Sequence, residues 1–163
     1  MNISIRAFKE LDWASVSKIY AEGIATGIAT FETEVPSFNV WNKKFIEKCR
    51  IVAVVNDEVV GFAVLSQVSK RKVYSGVAEV TVYVSETERG KGIGKLLLEA
   101  LVRKSENEGF WTLQAGIFSL NKPSIELHKK CGFRVVGTRE KIGKREGKWH
   151  DNHFLERRSQ KIN

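Results

Sequence analysis

The stretch Ala78 to Val102, AEVTVYVSETERGKGIGKLLLEALV, decides the fold. Val80, Val82 and Val84 alternate with Glu79, Thr81 and Tyr83, the period-2 pattern of a strand with two unlike faces. Glu79 is thereby placed on a sheet face. After Ser85, the glycines Gly90, Gly92 and Gly94 alternate with Lys91 and Ile93, and Lys95 to Val102 favours helix. Glycines let successive backbone N–H groups converge without side-chain obstruction, and a helix N-terminus adds partial positive charge. The turn is therefore built to hold an anion such as a pyrophosphate. Arg89, Lys91 and Lys95 add full charges.

Two familiar phosphate loops are excluded by spacing. A Walker loop needs four residues between its glycines and a Ser or Thr after its lysine, whereas three residues separate Gly90 from Gly94, and Leu96 follows Lys95. A dinucleotide fingerprint counted from Gly90 meets Lys95 where its third glycine belongs; counted from Gly92 it meets Leu97. What remains, Arg89-Gly90-Lys91-Gly92-Ile93-Gly94 directly after a strand, resembles the acetyl-CoA loop of the GCN5-related N-acetyltransferase (GNAT) family. The resemblance implies an α/β GNAT fold: a mixed twisted central sheet flanked by helices, with acetyl-CoA at a splay between two parallel strands.

Working outward, Ile3 to Phe8 alternates as a first strand, and Asp12 is placed to cap a helix from Trp13 to about Ala25. Thr26 to Ser37 reads as an ordered loop. Asn39 to Arg50 reads as a second helix with Trp41, Phe45 and Cys49 on one face, and Ile51 to Val55 with Val59 to Leu65 as a hairpin turned at Asn56-Asp57-Glu58. Past the central helix, Trp111 to Phe118 reads as a strand parallel to the first, because a helix has crossed between them. Asn121-Lys122-Pro123-Ser124 opens a short helix with Pro123 suited to its first position, and Cys131-Gly132 closes it. Phe133 to Thr138 and His153 to Glu156 read as final strands, with KIGKREGKWHDN as the loop between them.

The resemblance extends along nearly the whole chain. NKPSIELHKKCGFRVVG, from Asn121, resembles the family's last helix-strand unit. There the resemblance implies that Asn121 bonds the pantetheine region; Ser124 is a further candidate for cofactor binding, and Lys130 is a candidate charge for a CoA phosphate. A Tyr is common in the middle of that helix in the family; here the residue is His128, as in the phosphinothricin acetyltransferase branch, which also acts on methionine sulfone and sulfoximine. IATFETE at Ile28 to Glu34, Arg71-x-x-Tyr74 before Glu79, and GKWHD at Gly147 to Asp151 also match that branch.

Size and composition set outer limits. The 163 residues are read as one domain, 1–163, with enough chain for a full core. No apolar run approaches the ~20 residues that span a bilayer, and the N-terminus carries no signal pattern, so a cytoplasmic protein is expected. The net charge of +8 arises from scattered basic residues without a nucleic-acid-binding motif, so no nucleic-acid partner is expected. Cys49 and Cys131 form no CxxC pair. His150 and His153, three apart near a strand start, fall on opposite faces with no third His nearby, so no metal is expected.

Acetyl transfer to an amine needs a fixed thioester, a neutral amine, stabilisation of the carbonyl oxygen, and a proton for the departing thiolate. The resemblance implies that the backbone of Val82, Tyr83 and Val84 pairs with pantetheine. A backbone N–H of that strand is also available to the acetyl oxygen. An α-amine titrates near ~8, so most of it is protonated at neutral pH and a base is required. Glu79 is the candidate base, directly or through water, and His128 the candidate for proton transfer or binding. Arg71 is the candidate fork for an acceptor carboxylate, with Phe31 and Glu32 lining the pocket and Tyr74 closing it. The expected acceptor is a small amino acid or analogue. Polyamines, aminoglycosides and protein N-termini remain alternatives, as does a non-catalytic CoA-binding module. A homodimer is implied by the resemblance.

Overall fold

The computed structural model describes residues 1–163. In chain order it contains β1 (Ile3–Ala7), α1 (Trp13–Ala25), α2 (Phe38–Lys44), β2 (Phe45–Val55), β3 (Glu58–Gln67), β4 (Val77–Val84), α3 (Ile93–Asn107), β5 (Thr112–Phe118), α4 (Lys122–Lys130), β6 (Arg134–Arg145) and β7 (Lys148–Arg158). All seven strands join one sheet in the order β1-β2-β3-β4-β5-β7-β6. Every neighbouring pair is antiparallel except β4 and β5. The exception follows from α3, which carries the chain back to the end from which β4 began.

The parallel pair is short. Val77, Ala78 and Glu79 register with Thr112, Leu113 and Gln114, and there the pairing stops. Beyond Glu79 the two strands part, so residues 80 to 84 bond to β3 on one side only. This is the splay that the family resemblance implies.

Each sheet face carries its own core. On one, Ala78, Val80, Leu113, Ala115 and Ile117 pack beneath Leu97, Leu98 and Leu101 of α3 and Ile125 of α4. On the other, Val52, Phe62 and Val64 pack beneath Val16, Ile19 and Tyr20 of α1 and Trp41 of α2, with Tyr83 against them. The alternation in β4 thus serves two apolar layers, and Glu79 shares its face with Tyr83.

Four expectations need correction. The helix expected over Asn39 to Arg50 ends at Lys44, and Phe45 already belongs to β2. A spacing of four, as between Trp41, Phe45 and Cys49, is compatible with both the helical and the strand period, so it cannot separate them. A register irregularity between Phe45 and Arg50 then sends Phe45 to the α1 side and Cys49 to the α3 side. Arg50 fixes the helix end by donating to the carbonyl oxygens of Asn42 and Phe45 and to the Asn42 side chain.

The final loop is instead a long hairpin, β6 with β7, turned at Glu146-Gly147 with φ of 49° and 80°. Two consecutive positive φ values suit a tight two-residue turn, and Gly147 takes the second. Almost every β6 side chain is at least partly open to solvent, so no apolar alternation marks the strand. Asp12 does not cap α1 through its side chain. Its carboxylate accepts from both Arg6 guanidinium nitrogens at 2.7 and 2.9 Å and from the Lys9 N–H at 2.7 Å, tying β1 to the start of α1. Pro123 stands one residue further in than expected, after Lys122, where its missing N–H still costs nothing.

The Arg6 hydrogen bonds hold the Asp12 carboxyl below its ordinary 3.8, against its burial. That stability is present above 3.8 and is lost as pH falls through the lower folded value. Asp12→Ala should cost about 1–2 kcal/mol in urea unfolding at pH 7, discounted for the partly exposed Arg6. The difference from wild type should shrink below pH 4.

Candidate active site

A cavity of about 1000 Å³ opens where β4 and β5 part. Of the residues singled out from sequence, Glu79, Val82, Tyr83, Val84, Arg89, Gly90, Gly92, Ile93, Gly94 and Lys95 line it, as do Asn121, Ser124, His128, Lys130, Phe31 and Glu32. Lys91, Arg71 and Tyr74 do not. Lys91 is turned to Glu88 at 3.1 Å. Arg71 stacks on the Tyr74 ring at 5.1 Å on the exposed connection before β4. The structure therefore does not bring the expected carboxylate fork to the cavity wall.

One end of the cavity is built for an anion. Gly92 precedes α3 with φ of 84°, a conformation suited to glycine, and no side chain caps the helix. The first helical bond runs from Leu96 N–H to the Gly92 carbonyl. The amides of Ile93, Gly94 and Lys95 thus carry unpaired N–H groups at the positive end of a four-turn helix. Arg89 lines the same end and donates to the Val84 carbonyl at 3.3 Å.

The middle of the cavity is a strand edge. Backbone groups of residues 80 to 84 that point away from β3 have no strand partner, so an extended chain laid in the splay finds donors and acceptors ready. α4 forms the facing wall. There Asn121 accepts the Ser124 N–H at 3.4 Å, and His128 is 95% buried. His128 Nδ1 lies 2.7 Å from the Ser124 carbonyl oxygen, which can only accept. The neutral imidazole consequently donates from Nδ1 and leaves its Nε2 lone pair free. Burial holds its pKa below 6.5, partly offset by the Ser124 contact, so it is neutral at pH 7.

The other half of the cavity lies on the α1 side. Register places Glu79, Gln114 and Glu156 in one row, followed along the strands by Gly116 with Phe154 and then Phe118 with Asn152. Residues in register share a face, as do residues two apart, so Glu79, Gly116, Phe118 and Asn152 point the same way. Glu79 takes part in none of the chain's ten ion pairs, so no Arg or Lys neutralises it.

Residues 26 to 37 cover this half, and the β6-β7 hairpin holds them. The Phe31 ring packs on Phe118 at 4.4 Å and on His150 at 6.2 Å. Its other neighbour is Gly143 of β6, where a Cβ would stand 2.6 Å from the ring. Arg145, nine-tenths buried, reaches from β6 to the Ile24 carbonyl at the end of α1, 3.1 Å away. Behind the loop, Tyr20 and Tyr83 rings lie 5.1 Å apart, and burial raises both phenols, which stay protonated. Sequence reading missed Tyr20, Thr30, Gly116, Phe118 and Asn152 of this wall. Only Gly116 carried a signal, since glycine inside a strand marks a close approach.

Comparison with known proteins agrees with this architecture. A family model described as an acetyltransferase (GNAT) domain matches residues 5–154. An L-methionine sulfoximine/L-methionine sulfone acetyltransferase of Pseudomonas aeruginosa is 31% identical, covering 96% of this chain and 94% of its own. A phosphinothricin N-acetyltransferase of Streptomyces viridochromogenes is 32% identical over 95% of this chain and 87% of its own. A crystal structure of a GNAT superfamily phosphinothricin acetyltransferase from Sinorhizobium meliloti, in complex with AcCoA, superposes with a TM-score of 0.90. It is 31% identical and covers 100% of this chain and 91% of that one.

The lowered His128 pKa sets a pH dependence. Between the folded value and 6.5 the unfolded chain binds more protons, so this contribution is present above 6.5 and is lost as pH falls through the folded value. Urea unfolding from pH 7.5 to 5 should show stability falling with pH, and His128→Asn should flatten that slope. An unchanged slope would place His128 in a solvated setting.

Proposed function

The chain belongs to the GNAT acetyltransferase family and is an acetyl-CoA-dependent N-acetyltransferase, and from that premise we propose that it acetylates the α-amine of a small amino acid or analogue of the methionine sulfone, methionine sulfoximine or phosphinothricin type. The observation that carries the acceptor reading is the half of the cavity on the Glu79 face, lined by Phe31 and Glu32. The acceptors printed in the names of full-length relatives agree with it. A concave pocket walled by a packed loop suits a small molecule better than a peptide chain.

The residues fit acetyl-CoA. The free amides of Ile93, Gly94 and Lys95, with Arg89 beside them, would hold the pyrophosphate, and the open edge of Val82, Tyr83 and Val84 would pair with the pantetheine. Asn121, Ser124 and Lys130 complete that wall. When bound, acetyl-CoA supplies an activated acetyl group as a thioester.

In this reading Glu79 removes the proton of the acceptor ammonium, directly or through a water, and an unpaired β4 N–H polarises the acetyl oxygen. His128, neutral and with Nε2 free, receives a proton during attack or passes one to the departing sulfur. Transfer is direct. The two thiols are poor nucleophiles: burial, then nearby Glu108, pushes Cys49 up to about 11, and burial raises Cys131. Arg71 and Tyr74 are left out of the binding set because they lie off the cavity.

The rest of the proposal concerns setting. The whole chain, 1–163, acts as one domain around one sheet. Exposed Val135, Val136, Ile142 and Trp149 on the β6-β7 hairpin support a homodimer. Scattered basic residues give no reason for a nucleic-acid partner, and two buried free thiols suit the reducing cytoplasm. No helix is long and apolar enough to cross a membrane.

Thiol release from acetyl-CoA should be seen with methionine sulfone, methionine sulfoximine or phosphinothricin and not with spermidine, kanamycin or an Ala-start peptide. Glu79→Gln should lower kcat by at least about 10²-fold with little change in the KM for acetyl-CoA. Turnover confined to the last three acceptors would contradict the amino-acid reading.

A further inference from the structure

We propose that Asn152 selects the acceptor by its far end, donating from Nδ2 to an oxygen of a polar group on the acceptor's side chain; this rests on the amino-acid reading above. Asn152 lies in β7 opposite Phe118 and lines the cavity. Its Oδ1 is sealed from solvent and has no hydrogen-bond partner. The Nδ2 edge lies over Gly116, close enough that a Cβ there would sit 2.9 Å from it. Glycine at 116 therefore makes room for the amide, and no protein atom holds the amide in place. Burying an unpaired amide oxygen is unfavourable, so a carboxamide in this position is accounted for by what it meets on its open side.

Distance along the sheet says which part of the acceptor that is. Glu79 and Asn152 share a face, two strands and four residues apart. Strand rise and spacing put their backbones roughly 16 Å from each other. The Asn152 amide leans over Gly116 into that gap, and the remaining length suits an amino acid of four or five chain atoms with a hydrogen bond at each end. With its amine at Glu79, the molecule presents its side-chain terminus to Asn152. A sulfone, sulfoximine or phosphinate oxygen accepts a hydrogen bond there, and a methyl group does not. A site built to pair with such an oxygen discriminates against the analogue that lacks it.

The test is kcat/KM for methionine sulfone against norleucine, which has an apolar end on a similar chain, in wild type and Asn152→Ala. Phosphinothricin is added as a third acceptor with Asn152→Asp. Thermal stabilisation by acetyl-CoA reports that each variant is folded. The sulfone-to-norleucine ratio should fall about tenfold in Asn152→Ala, and Asn152→Asp should lose more with the anionic phosphinothricin than with the neutral sulfone. Wild-type turnover of the sulfone with the same ratio in Asn152→Ala would overturn the role of Asn152 and leave the acceptor class standing. A wild type that takes none of the three amino acids would overturn both.

Discussion

The chemistry of this chain depends on a ladder that stops. β4 and β5 pair for three residues and then separate, so the middle of the sheet carries an unpaired backbone edge that in most folds would be a liability. Here the two layers on either side make the gap affordable. α3 and α4 pack over one face and α1 with its following loop over the other, so the strands are held apart by helices and the opening becomes a cavity. An extended ligand restores the missing hydrogen bonds. The glycine turn before α3 places three further unpaired amides at the mouth of the same gap.

The two faces then divide the work. On the α4 side His128 is locked through Ser124 into one tautomer and kept neutral by burial. On the α1 side Glu79 stands at the root of the splay, the last residue of β4 paired with β5, where no cation neutralises it. A carboxyl group on one face and a neutral imidazole on the opposite wall suit the proton transfers proposed for Glu79 and His128. The acceptor half owes its shape to the distant hairpin: Gly143 seats Phe31, and Arg145 holds the end of α1.

Much of this was legible in the sequence, for physical reasons that differ by residue. The alternation from Glu79 to Val84 and the glycines before Ile93 are local signals, since strand period and helix-terminal geometry act over a few residues, and both were read correctly. Asn39 to Arg50 was misread because a spacing of four does not separate helix from strand, and the deciding contact, Arg50 on the α2 carbonyls, spans the boundary. The second half of β6, beyond Thr138, was missed because its largely exposed side chains leave no apolar pattern. Asn152 and Arg145 gave no local sign: their partners at the site lie more than thirty residues away, and only the register of β5 with β7 and the reach of the hairpin bring them there. Arg71 and Tyr74 matched a pattern yet stack on each other and do not line the cavity, since a motif conveys neighbours in sequence and not their place on a surface.

Amide hydrogen exchange with and without acetyl-CoA addresses the central claim most directly, because it reads the unpaired backbone itself. The account predicts new protection concentrated in the amides of residues 80 to 84 and 93 to 95, with β1 to β3 unchanged. Protection spread evenly over the sheet, or confined to the β6-β7 hairpin, would contradict it.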